Sequence, residues 1–217
     1  NSLIWALRNR HELQQPFDLL FATSMVDIAA LRGLIPQLSQ LPTLLYFHEN
    51  QFDFPANRQL QSGQPPAIAN VEQQLVPLYS ALCAQRLLFN SAFNRRGFLA
   101  GCEQLLQRLP DRLAGPLLTQ LPAADVLPVP LPAYSGRERR LTGLPLELLW
   151  NHRWEYDKGP GLLLALTELI RRSRSPLRLH VVGQQFRQRP GEFDHIDCLL
   201  QEHAADTGIA RGHFGFI

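Results

Sequence analysis

The chain has 217 residues, 45% hydrophobic and 18% charged, with 21 Lys and Arg against 19 Asp and Glu for a net charge of +2. This suits one large or two small globular domains with a real core and excludes any argument for nucleic-acid binding from charge alone. Cys83, Cys102 and Cys198 lack C-x-x-C spacing, which argues against a disulfide framework or a zinc site, and no run approaches the ~18 apolar residues that cross a bilayer. The expectation is a cytoplasmic protein without a membrane span.

The apolar run Phe17 to Phe21 predicts a first strand, and Ser24 with Asp27 has the spacing of a capping box opening a helix through about Arg32. Thr43 to Phe47 (TLLYF) is too short for a helix and suits a buried parallel strand. Residues 53–67, with Pro55, Gly63, Pro65 and Pro66, read as a surface loop. A helix from about Ile68 to Gln85 with a kink at Pro77 leads to a strand over Arg86 to Phe89. Ser91 caps a helix through Leu99, a separate helix covers Glu103 to Leu109, and Asp125 to Val129 forms a strand.

Prolines, glycines and an Arg cluster between Pro130 and Pro145 have a linker's composition. The expected division is a domain over 1–135, a linker over 136–145 and a second domain over 146–217. There the alternation resumes, with strands over Glu147 to Trp150, Leu177 to Val182 and Gly212 to Ile217, and helices over Pro160 to Arg172 and Glu192 to Ala205. Strands alternating with helices predict parallel β/α/β units, hence an α/β protein of two Rossmann-like domains. The second set holds only about half the strands of a doubly wound domain. The chain also opens mid-pattern and closes on an apolar strand, so the first strand region and the end of the second domain are expected to lie outside it.

In an open parallel sheet ligands bind beyond the carboxyl ends of the strands. His48-Glu49-Asn50-Gln51 follows TLLYF directly; Phe52 breaks any H-E-x-x-H match. Either the His contacts substrate hydroxyls or a reacting group, or the loop merely satisfies its own backbone. Asn151 to Pro160 lies between a strand and a helix start. Arg153, Lys158 and the helix terminus together suit an anion such as a diphosphate leaving group; alternatively the two cations pair with Glu155 and Asp157. Asn90 and Ser91 form a weaker candidate, since capping accounts for Ser91. Asp194, His195, Asp197 and His203 read as a polar helix face rather than metal ligands. Arg95 and Arg96, Arg137, Arg139 and Arg140, and Arg171, Arg172 and Arg174 read as solvated groups, with a phosphate or RNA patch as the alternative.

With these residues assembled, the sequence resembles the GT-B glycosyltransferases related to tRNA-queuosine α-mannosyltransferase. The resemblance rests on LLYFHENQFDFP (Leu44 to Pro55), LLFNSAFN (Leu87 to Asn94) and LLWNHRWEYDKGP (Leu148 to Pro160), in that order, with HVVGQQF (His180 to Phe186) and HFGFI (His213 to Ile217) as second-domain strands. It implies an acceptor-side domain and a nucleotide-sugar domain facing a cleft, and a retaining, metal-independent transfer of mannose from GDP-mannose to queuosine in tRNA. By motif, His48 and Glu49 become the catalytic candidates, with His48 beside the donor sugar from the opposite domain. Asn50, Gln51, Asn90 and Ser91 become substrate-binding candidates, and Arg153 and Lys158 hold the donor diphosphate. The nucleotide sugar is a co-substrate, no further cofactor is implied, and no obligate protein partner is evident. The broader group also grips the donor with a glutamate pair and has a Gly-rich first loop. These residues carry neither, which implies that alone they are inactive. Transfer to a lipid or polysaccharide from another donor, or a non-catalytic tRNA- or nucleotide-binding module, are the alternatives.

Overall fold

In the first half of the chain, every apolar run that follows a turn signal becomes a parallel strand, and each returns through a helix. The computed structural model describes residues 2–8, 10–52, 69–109, 118–133, 136, 143–185 and 189–216, in two compact units, Asn1–Pro132 and Ala133–Ile217. The first holds strands β1 (Leu20–Thr23), β2 (Thr43–Phe47), β3 (Arg86–Phe89) and β4 (Ala124–Val126), and helices α1 (Ser2–Leu7), α2 (Ile28–Leu34), α3 (Ala69–Leu82) and α4 (Ala92–Arg108). The strands are parallel in the order β1-β2-β3-β4. A winding that always advances the same way, with right-handed crossovers, deposits its helices on one face. Ala22, Leu45, Phe47, Leu87 and Phe89 duly meet Ile28, Leu31, Leu78, Ala81, Phe98 and Cys102 in one core. Phe47 lies 4.7 Å from Phe89 and 4.5 Å from Phe98, ring centre to ring centre.

The second unit holds β5 (Leu146–Asn151), β6 (Leu177–Gly183) and β7 (Phe214–Phe216), parallel in sequence order, with α5 (Pro160–Ser173) and α6 (Glu192–Thr207). Leu179 and Val181 of β6 pack with Leu163 and Ile170 of α5 and with Phe193, Ile196 and Leu200 of α6. The alternate residues of these strands carry a polar network. Glu147 bonds Arg178 and His180, each at 2.7 Å, and His180 Nδ1 accepts the His213 N–H at 3.0 Å. With Nδ1 an acceptor, the ring proton sits on Nε2 and is donated to Glu147. Three strands are thus tied through one imidazole.

Several expectations need correction. The first strand starts at Leu20 rather than Phe17, where the backbone first pairs with the segment after Pro42. The cap of α2 is Asp27, whose Oδ1 accepts the Ala30 N–H at 2.9 Å, not Ser24. The two helices expected over residues 91–109 are one, Ala92–Arg108. Gly97 and Gly101 each cost only ~1 kcal/mol in a helix, and burial of Phe98, Cys102, Leu105 and Leu106 along one stripe outweighs that. The fourth strand spans only Ala124–Val126. His203 does not belong to a polar face: with Phe193, Ile196 and Leu200 it forms the buried stripe of α6. The loop expected over residues 53–67 and the arginines at 137, 139 and 140 lie outside the described residues.

Candidate functional site

The carboxyl ends of β1, β2 and β3 bring together Ser24, the loop 48–51, Asn90 and Ser91. Tyr46 and His48 are two residues apart at the end of β2 and so share one side of the chain; their rings meet edge to face with centres 4.7 Å apart. Tyr46 is itself fixed by donating its hydroxyl to the Leu127 carbonyl at 2.9 Å. His48 and Glu49 are exposed, and the Glu49 carbonyl accepts the Ser24 hydroxyl at 3.3 Å. The imidazole and carboxylate are therefore presented to solvent on a loop whose backbone is held.

What holds it is a set of three asparagines. Asn94, buried in the first turn of α4, accepts from Asn50 Nδ2 at 2.8 Å and donates through Nδ2 to the Phe47 carbonyl at 3.1 Å and to Asn90 Oδ1 at 3.0 Å. Asn90 donates to the His48 carbonyl at 2.5 Å, and Asn50 Oδ1 accepts the Phe52 N–H at 3.0 Å. Ser91 caps α4 by accepting the Asn94 N–H at 3.1 Å. Asn50, Asn90 and Ser91, candidates for substrate binding, thus spend hydrogen bonds on shaping the loop, and Gln51 stands half-buried beside them. Asn94 was not singled out by sequence reasoning. The readable signal was Asn90-Ser91-x-x-Asn94, a cap motif whose final residue carries an amide back toward the preceding strand.

The second cluster follows β5. Past Asn151 the chain stays extended, with the His152 N–H bonded to the Val182 carbonyl at 3.2 Å and the Trp154 N–H to the Gln184 carbonyl at 2.8 Å. Gly183 permits this approach, because a Cβ there would collide with the His152 carbonyl. A 3-10 turn over Tyr156–Lys158 and Gly159, at φ 73°, then start α5 with Pro160 in its first turn and no side-chain cap. Trp154 is fully buried, while the Arg153 side chain is 50% exposed.

Arg153 Nη2 lies 3.2 Å from Glu155, and Lys158 Nζ lies 2.7 Å from Asp157. Each cation therefore has an adjacent carboxylate. Tyr156 has its pKa raised by burial, then by the Asp157 and Glu155 charges, so it remains a neutral phenol. Electrostatically the loop carries two cations, each beside a carboxylate, next to a helix start without a side-chain cap, a combination of charges and exposed amides that suits an anion. Elsewhere, Arg95 bonds the Ala124 carbonyl at 3.3 Å and Arg171 pairs with Glu202 at 2.7 Å, leaving Arg172 and Arg174 as solvated charges. Among the described residues no group of three or more His, Cys, Asp or Glu is arranged to hold a metal ion. No helix among them is long and apolar enough to cross a membrane.

Residues 1–131 match the family described as tRNA-queuosine alpha-mannosyltransferase N-terminal. A tRNA-queuosine alpha-mannosyltransferase of Drosophila melanogaster is 30% identical over 203 residues, covering 88% of this chain and 52% of that relative. The chain thus spans about half the relative's length. A solved structure described as trehalose-6-phosphate from E. coli bound with UDP-2-fluoro glucose is similar with a TM-score of 0.56 at 14% identity, over 100% of this chain and 51% of that one. At that identity the likeness is one of fold, that of the GT-B glycosyltransferases.

Proposed function

Because this chain belongs to the tRNA-queuosine alpha-mannosyltransferase family, we propose that it serves in glycosyl transfer to queuosine in tRNA, with GDP-mannose as donor, retention at the sugar and no metal. The observation that carries the donor half of this reading is the loop after β5. Arg153 offers a planar fork for phosphate oxygens and Lys158 a compact charge, beside the uncapped start of α5. Negative charge grows on a departing nucleoside diphosphate as the bond to the sugar breaks, so donors already in place stabilise the transition state more than the ground state. Glu155 and Asp157 hold the two side chains until phosphate replaces them.

His48 and Glu49 supply the chemistry at the reacting sugar in this reading. Their support is the exposed position of both on a loop braced by Asn50, Asn90 and Asn94, which fixes where an imidazole or carboxylate acts without consuming it.

The test is incubation of the full-length protein with GDP-mannose and queuosine-containing tRNA, followed by mass analysis of the released nucleosides. A gain of one hexose on queuosine is the expected result. A gain only with another nucleotide sugar overturns the donor, and a gain only on a lipid or glycan overturns the acceptor. Nucleotide binding without transfer in the full-length protein would leave a binding module in place of an enzyme.

A further inference from the structure

Trp154 is the buried side chain of the loop that presents Arg153, and the groups that pack Trp154 come from elsewhere in the unit. Phe193, in the first turn of α6, lies flat against the indole with ring centres 4.7 Å apart and planes 6° apart. Phe214 of β7 meets it edge on at 5.0 Å. The Arg189 guanidinium sits 4.8 Å from the indole centre, oriented by an ion pair to Asp194 at 2.8 Å. Trp154 is 1% exposed. Its neighbour Arg153 is half exposed and can hold a ligand in one place only if the backbone it hangs from does not slide.

We propose that Arg189 is a positioning residue for the anion loop: stacked on Trp154 and tethered to Asp194, it locks the backbone of Arg153 in register for a nucleoside diphosphate. This rests on the assignment of Arg153 to the donor diphosphate. Three observations favour a positioning role over a general stabilising one. Arg189 contacts the loop at the residue adjacent to the proposed ligand-binding side chain. A planar guanidinium on an indole face is a contact that lysine or methionine reproduces poorly. The Asp194 carboxylate, 2.8 Å from Nη2, tethers the guanidinium on the indole by an ion pair.

The experiment is a calorimetric titration of GDP into the full-length protein and the variants Arg189→Met, Arg189→Lys, Arg153→Ala and the double variant Arg153→Ala/Arg189→Met. Thermal unfolding confirms that each is folded. Arg189→Met should weaken GDP binding by about threefold to tenfold, with Arg189→Lys in between, because it restores charge but not the flat plate. If Arg189 acts through Arg153, the loss on Arg189→Met largely vanishes once Arg153 is already alanine.

Full additivity in the double variant overturns the proposal, as does unchanged GDP affinity in Arg189→Met when Arg153→Ala is weakened. Unchanged affinity in Arg153→Ala removes the diphosphate assignment itself, and the positioning role with it, a result separable from the first two. Should Arg189→Met not fold, Phe193→Leu tests the same packing of Trp154 from α6. It must weaken GDP binding in the parent and have little further effect beside Arg153→Ala.

Discussion

Two buried side chains show how single residues depart from their ordinary chemistry. Burial pushes the Cys102 thiol from 9.0 up to about 12, because the thiolate would have to form among Phe98, Leu105 and Leu106 without solvent. The folded value lies above the unfolded one. The stability associated with keeping the thiol neutral is therefore present below the unfolded value and lost as pH rises from 9.0 toward about 12. A maleimide added near neutral pH should label exposed Cys198 and spare Cys102 until the chain is unfolded, as peptide mass mapping would record. Early labelling of Cys102 would contradict its burial. His203 is 4% exposed, and neither ring nitrogen has a hydrogen-bond partner among the described residues. Replacing an unsatisfied buried polar ring with an apolar one removes a desolvation cost of ~1–3 kcal/mol. His203→Leu should raise the unfolding midpoint in a denaturant titration.

At the scale of elements, the start of α4 does two jobs. It opens the crossover from β3 to β4 in the usual way, through the Ser91 cap, and it carries Asn94 back onto the end of β2. These roles separate experimentally. Ser91→Ala should cost ~1 kcal/mol, the ordinary worth of a cap. Asn94→Leu should cost ~2–4 kcal/mol, since it strips partners from Asn50 Nδ2, Asn90 Oδ1 and the Phe47 carbonyl at once. Chemical denaturation of the two variants measures the difference. Equal costs would mean that the asparagine set does not brace the loop. The same element explains why sequence reasoning split one helix into two. Gly97 and Gly101 weaken the local signal, and only the packing of Phe98 and Cys102 against β2 and β3 shows why the helix continues.

For the whole molecule, the family places glycosyl transfer in the foreground, and the proposed function has the cations after β5 hold the donor diphosphate without a metal ion. GDP affinity should be the same in EDTA as in magnesium, measured by calorimetry. A loss of binding in EDTA would mean that a metal ion bridges the diphosphate. Alternating runs and turn residues were sufficient to locate the seven parallel strands among the described residues, because a buried parallel strand must be a short continuous apolar run and a crossover must be long. The loops at the carboxyl ends, with His48, Glu49, Arg153 and Lys158, were legible for the same reason, since position after a strand is a property of the chain. Which polar residues stay exposed and which spend themselves on the loop was not legible. That depended on Asn94, Arg189 and Phe193 arriving from other elements, across separations that no local spacing encodes. The sequence by itself determined the strands, the order of the motifs and the family. Only the tertiary structure decided that the asparagines brace a loop, that His203 is core and that Phe193, Phe214 and Arg189 pack on Trp154 beside Arg153, because hydrogen-bond partners and burial are set by packing between distant segments.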